Sequence, residues 1–205
     1  MLKKIVKKIL GMEAPKPDLT YLQYIDNKGS HLKNGFALRV DIPVPGKKYV
    51  TLGKDSMLSG TIVFESEEGH VSIGNESNFS PGALLICRES IIIEDNVFIS
   101  WGCTICDHGS HSLYYMDRRD DYQVMLDNYK NQRNINIGKD WDTVDVRPVR
   151  ICSDAWIGMN TVIMQGVTIG RGAIIGANSV IKQDVPEFTI VAGNPAQTVA
   201  KLPNI

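Results

Sequence analysis

Three side chains able to hold or move protons fall between positions 107 and 111: Asp107, His108 and His111. The chain has four histidines, so this stretch carries half of them. A neutral imidazole accepts a proton near pH 7, because its unperturbed pKa is about 6.5. A carboxylate beside it can fix which ring nitrogen carries hydrogen. The cluster therefore suits acid–base chemistry, with a histidine as base and Asp107 holding a tautomer. Two plainer readings compete. In one the histidines are polar loop residues without a role; in the other they are part of a metal site.

What must position these residues is a scaffold with a clear period. From residue 151 the isoleucines Ile151, Ile157, Ile163, Ile169, Ile175 and Ile181 recur every six residues. Four residues after the first five of these come Ala155, Thr161, Val167, Ala173 and Ser179. Upstream the same step appears in three shorter runs: Leu52–Leu58–Phe64, Ile73–Phe79–Leu85 and Ile93–Ile99–Ile105. Between the second and third runs the register slips, so a corner there carries extra residues. A step of six fits neither a helix nor a long alternating strand. It fits a short strand followed by a sharp turn, with Gly158, Asn160, Gly166, Gly172 and Asn178 supplying turn conformations. Three such units close a triangular coil, and stacked coils bury a continuous aliphatic column.

Between Ile105 and Val149 the period stops. Residues 106–148 are polar and aperiodic, and they contain the Asp107–His111 cluster. Excursions of this length in a compact domain are usually functional or disordered. The expected organisation is a lead-in over 1–49 with a short N-terminal helix, then a coil domain over 50–205 interrupted by the loop 106–148.

Trp156-Ile157-Gly158, Gly166-Val167-Thr168-Ile169-Gly170, Ile175-Gly176-Ala177 and Ala192-Gly193-Asn194-Pro195-Ala196 together resemble the hexapeptide-repeat acyltransferases. The likeness covers most of 50–200, and the sugar O-acetyltransferase and galactoside or maltose acetyltransferase branches match it best. It implies an all-β fold, a left-handed parallel β-helix, although parallel crossovers elsewhere are mostly right-handed. It also implies a homotrimer with active sites between subunits, and acetyl-CoA as cosubstrate with no metal required.

The reaction implied is transfer of acetyl from a thioester to a saccharide hydroxyl, with no covalent acyl-enzyme. A hydroxyl needs a base to take its proton as the new bond forms, and the oxyanion needs a hydrogen-bond donor. The family's histidine maps onto His111, with His108 as the rival. Trp156 maps onto a tryptophan of the active site, where it stacks on substrate or donates its indole N–H; packing at a trimer interface is the alternative. Donor-site positions map onto Gly158, Met159, Ala177, Lys182, Gln183 and the segment 192–201, which includes Lys201. The chain departs from the galactoside pattern at Lys182-Gln183 and at Gln197, so phosphate contact is left to Lys182 and Lys201.

The acceptor expected is a surface polysaccharide or its precursor. An antibiotic hydroxyl or an amino sugar are the alternatives within this fold. A γ-class carbonic anhydrase would need three histidines around zinc, and His31 and His70 lie far from the loop. A scaffold without catalytic activity is the remaining class.

The bulk numbers agree with a globular protein. The 205 residues are 43 % hydrophobic and 22 % charged, with a formal net charge of −1. That balance speaks against nucleic acid as partner. Residues 1–11 are basic and amphipathic, with Lys3, Lys4, Lys7 and Lys8 on one face. They read as a helix closing the coil, or as a weak contact with an anionic membrane surface. The expected location is cytoplasmic, at most peripheral to the inner membrane face. Cys103-x-x-Cys106 lacks the second ligand pair of a zinc site, and the four cysteines read as buried fillers in a reducing compartment.

Overall fold

The computed structural model describes residues 20–203. Short strands follow one another into three sheets, and up to the closing hairpin consecutive strands go to different sheets. Val149–Ile151 lies in the first sheet, Trp156–Ile157 in the second and Val162–Ile163 in the third. Thr168–Ile169 then returns to the first, stacked on Val149–Ile151. Each three strands complete one turn of a prism, as a six-residue step requires. Pairing within the sheets is parallel throughout, except for the closing hairpin of Thr189–Gly193 with Ala196–Lys201.

The rungs send apolar side chains inward, stacked in register. The second sheet stacks Leu58, Phe79, Ile99, Ile157 and Ile175, all buried. The third stacks Ile62, Leu85, Ile105, Ile163 and Ile181 in the same way. In this ladder the partner of Leu85 is Ile62, not the Phe64 that a strict step of six selects. Phe64 is buried two residues later, opposite Cys87. The companion column Ala155, Thr161, Val167, Ala173 and Ser179 is buried at the corners, where little room remains.

Those corners need left-handed backbone. Asn160 and Asn178 take φ of 56° and 57° at successive turns between the second and third sheets. Asparagine tolerates this region better than most residues. The coil also begins earlier than residue 50. Ile25–Asn27, His31–Leu32 and Ala37–Val40 form a first turn, pairing with the strands of the next. The lead-in therefore contributes a turn of its own, one whose Leu32 and Leu38 are six apart but out of phase with the run that starts at Leu52. The predicted helix over residues 1–11 lies outside the described residues. Among those described, no helix is long and apolar enough to cross a membrane.

The interruption at 106–148 is not structureless. It contains a helix, α1, at Tyr115–Lys130 and a 3-10 turn at Trp141–Thr143. The helix escaped the periodic reading because it has no apolar stripe: of its residues only Asn128 is buried. The stems of the excursion are tied together. Arg147 N–H donates to Asp107 O at 2.8 Å, and Gly109 N–H to Asp145 O at 2.9 Å. The excursion then docks on the first turn of the prism, where Asn136 Nδ2 donates to Asp41 Oδ2 at 2.8 Å.

Candidate active site

The strand Thr104–Cys106 ends the third sheet of its coil and delivers Asp107, His108 and His111 to the base of the excursion. The three then take different roles. Asp107 is fully buried. Its Oδ1 accepts from the Arg88 N–H at 2.8 Å, and its Oδ2 from Glu89 and Ser90 N–H at 2.7 and 2.8 Å. Residues 88–90 are the corner where the repeat slips register. Asp107 thus satisfies three backbone donors that a wide corner would otherwise strand. This differs from the expectation that it holds an imidazole tautomer: its oxygens accept from three amides and from the Cys87 thiol, and it makes no hydrogen bond to either ring.

His108 is buried as well, 2 % exposed. Its Nδ1 accepts from the Ser110 N–H at 3.1 Å, so the neutral ring carries its proton on Nε2. That nitrogen faces Glu65 Oε2 at 3.8 Å and has no hydrogen-bond partner among the described residues. Trp141 meets the ring edge-on at 5.1 Å. Burial holds the pKa of His108 below the usual value, against the opposing pull of Asp107 and Glu65. Both nitrogens are closed to an incoming hydroxyl.

His111 has the opposite surroundings. Its side chain is 45 % exposed, and its Nδ1 lies 2.5 Å from Asp121 Oδ2. A carboxylate on Nδ1 makes that nitrogen the donor and leaves the Nε2 lone pair available. Lys139 Nζ stands 3.4 Å from the same Asp121 oxygen and donates to Ser110 O at 2.6 Å. Asp121 and Lys139 are the members of the site that sequence reasoning missed. Asp121 sits in the acidic-basic run Asp117-Arg118-Arg119-Asp120-Asp121, where nothing distinguishes it from its neighbours.

Trp156 lies elsewhere, in the second sheet between Phe98 and Ile174. It is half exposed, and its Nε1 donates to Ser100 Oγ at 3.3 Å. Among the described residues it makes no hydrogen bond or ring contact with His108 or His111. Met57, Phe98, Trp101 and Met159 are also exposed on this side of the prism, giving an apolar face.

The predicted donor positions divide. Lys182 and Gln183 line a groove of about 340 Å³ together with Val185, Val191, Ala196 and Thr198. Gly158, Met159 and Ala177 are not on its wall; they stack at the corner between the second and third sheets, where Asn178 N–H donates to Met159 O at 2.8 Å. The Gly158 N–H is committed to Ile175 O, and a Cβ there would lie 2.6 Å from that oxygen. Close stacking of rungs therefore accounts for this glycine. Lys201 pairs with Thr189 at the far end of the hairpin, also off the groove wall. Gln197, one of the departures from the galactoside pattern, does line it.

The cysteines are all free. Burial pushes the Cys106 thiol up to about 11, which suits a filler better than a nucleophile. Among the described residues, no group of three His, Cys, Asp or Glu side chains is placed to hold a metal ion.

Residues 148–183 match the family described as bacterial transferase hexapeptide (six repeats). A chloramphenicol acetyltransferase of Escherichia coli is 33 % identical over 92 residues, or 45 % of this chain and 37 % of that protein. The chain spans 22 % to 38 % of the length of the curated relatives compared with it. Among solved structures, a hexapeptide-repeat containing acetyltransferase from Vibrio cholerae O1 biovar eltor, complexed with acetyl coenzyme A, is similar at TM-score 0.57. That match is 23 % identical and covers 98 % of this chain and 89 % of that one. AntD, an N-acyltransferase from Bacillus cereus in complex with dTDP and 3-hydroxybutyryl-CoA, is similar at TM-score 0.62 and 18 % identity, over 90 % and 87 % of the two chains. The fold is accordingly a left-handed parallel β-helix, the hand that the sequence resemblance implied.

Proposed function

Starting from a left-handed β-helix whose residues 148–183 carry the repeats of bacterial hexapeptide transferases, we propose that this chain transfers acetyl from acetyl-CoA to a saccharide hydroxyl. His111 is the general base. The observation that carries this reading is the pairing of a half-exposed imidazole with Asp121 through Nδ1, which leaves Nε2 as the accepting nitrogen. A hydroxyl proton passes to Nε2 while the hydroxyl oxygen bonds to the thioester carbonyl carbon. The carbon–sulfur bond then breaks, and the proton moves from Nε2 to the departing thiolate. Asp121 stabilises the imidazolium formed between these steps. No side chain becomes acylated.

The groove beside Lys182 suits the acetyl donor: Val185, Val191 and Ala196 offer apolar contact for its arm, and Lys182 a charge for its phosphates. The exposed apolar face around Phe98 and Trp156 supports a homotrimer, in which Trp156 of one subunit meets the acceptor held at His111 of the next. Location in the cytoplasm completes the reading, with residues 1–11 closing the coil or making a weak contact with an anionic membrane surface.

A second reading, acetylation of an antibiotic hydroxyl, is favoured by the likeness to chloramphenicol acetyltransferase. A third, N-acylation of an amino sugar, is favoured by the likeness in fold to AntD. Release of free thiol from acetyl-CoA, followed against saccharides, nucleotide-linked amino sugars and chloramphenicol, separates them. Turnover with neutral saccharides is expected. Turnover confined to chloramphenicol or to amino sugars replaces the acceptor assignment. Full turnover by His111→Ala, with His108→Ala dead, overturns the base.

A further inference from the structure

We propose that Lys139 and His108 are positioning residues for His111, gripping the residue before it, Ser110, at its carbonyl and its N–H. The inference rests on the reading of His111 as base and extends it to two buried groups which that reading leaves without a task. Ser110, immediately before His111, has φ of 63°, a left-handed conformation uncommon for a residue with a side chain. His111 N–H donates to Gly109 O at 2.8 Å, closing a three-residue turn with Ser110 at its centre. Such a turn persists only where its surroundings over-determine it.

Here the surroundings do so. The Ser110 N–H donates to His108 Nδ1, and the Ser110 carbonyl accepts from Lys139 Nζ. Both residues are themselves fixed. His108 stands against Trp141 and Glu65. Lys139 has a side chain only 5 % exposed, with its ammonium 4.8 Å from the centre of the Trp141 ring. The same ammonium reaches Asp121 Oδ2. Lys139 therefore ties together the two things that aim the His111 ring, the backbone it hangs from and the carboxylate that holds its Nδ1. Burying an ammonium is costly unless it is paired, and both its partners belong to this arrangement. The second histidine of the cluster, on this account, acts through its acceptor nitrogen on the first.

The test uses the full chain. Nitrogen NMR of labelled histidine reads the His111 tautomer without substrate, so it is independent of whether the acetyltransferase reading holds. The native protein is expected to show Nδ1–H alone. Lys139→Met keeps the stem against Trp141 but removes both polar contacts, and it is expected to show mixed tautomers with native circular dichroism. In the thiol-release assay its kcat is expected to fall on the order of tenfold with KM for acetyl-CoA within about twofold, since only the reacting geometry is lost. His108→Gln, whose carbonyl can accept from Ser110, is expected to keep more activity than His108→Leu.

A native tautomer and native kcat in Lys139→Met overturn the proposal. Should that variant fail to fold, Lys139→Gln removes the ammonium with a smaller change in polarity, and a native tautomer with native kcat in it is equally fatal. A changed tautomer in a protein that turns over no acceptor sinks the enzymatic reading and leaves the positioning role standing.

Discussion

The coil and the excursion at 107–148 are held together in opposite ways. In the coil each rung repeats its neighbour, and Ile157 meets only Ile99 below and Ile175 above within its ladder. Stability there accumulates from many near-equivalent apolar contacts, each burying an aliphatic side chain worth about 2 kcal/mol. In the excursion no side chain of α1 except Asn128 is buried. Its shape depends on single polar contacts between residues far apart in sequence, such as Asn136 with Asp41 and Lys139 with Ser110. The difference teaches a division of labour: a redundant part that resists unfolding carries an irredundant part where chemistry can be placed.

The sharpest test of that division is His111→Ala. It removes an exposed ring from the irredundant part, so kcat/KM is expected to fall by about 10²- to 10⁴-fold with no change in the unfolding midpoint. A parallel drop in both would break the comparison. In the coil the converse holds. Ile157→Ala leaves a cavity inside the column and is expected to cost about 2–5 kcal/mol in denaturant unfolding, with kcat altered only as far as the folded fraction falls.

Asp107 sharpens the boundary, because the sequence places it with the histidines and the structure places it with the coil. Asp107→Asn leaves the residue its size but turns one acceptor into a donor facing backbone N–H groups. A loss of about 1–3 kcal/mol is expected, read as a lower urea midpoint, while folded protein retains its pH–rate profile. A shifted profile would return Asp107 to the catalytic group.

The smallest effect concerns His108. Burial keeps its folded pKa below the unfolded value of about 6.5. As pH falls below about 6.5 the unfolded chain takes up a proton that the folded chain refuses, so stability declines in that direction. Asp107 and Glu65 soften the decline, and Lys139 and Arg88 steepen it. Differential scanning calorimetry at pH 7 and pH 5.5 is expected to show a larger drop in midpoint for the native chain than for His108→Gln. Equal drops would mean that the ring is protonated in the folded state.

Much of the coil was legible from the chain because its information is local. Ile151 through Ile181 and their companion column announce strand, corner and burial at once, since each coil must present the same face to the next. The first turn at Ile25–Val40 was not legible, because only Leu32 and Leu38 keep the step of six there and a long connection over 41–49 puts them out of phase with the run from Leu52. The helix Tyr115–Lys130 was not legible either, because a helix without an apolar stripe leaves no period to read. Of the candidate site, the sequence singled out the segment and favoured His111; it held no sign that Asp107 would be taken by the amides of 88–90 or that Asp121 and Lys139 would stand beside His111.

By itself, then, the sequence determined the prism, since a six-residue period of aliphatic side chains has few other ways to hide from water. It also determined where that prism is interrupted and which residue types gather there. Only the tertiary structure decided which carboxylate serves which group. Asp107 is drawn to the stranded amides of residues 88–90, and Asp121 reaches His111 because α1 folds back over the stem. Burial and backbone demand separate two aspartates that are chemically identical in the unfolded chain.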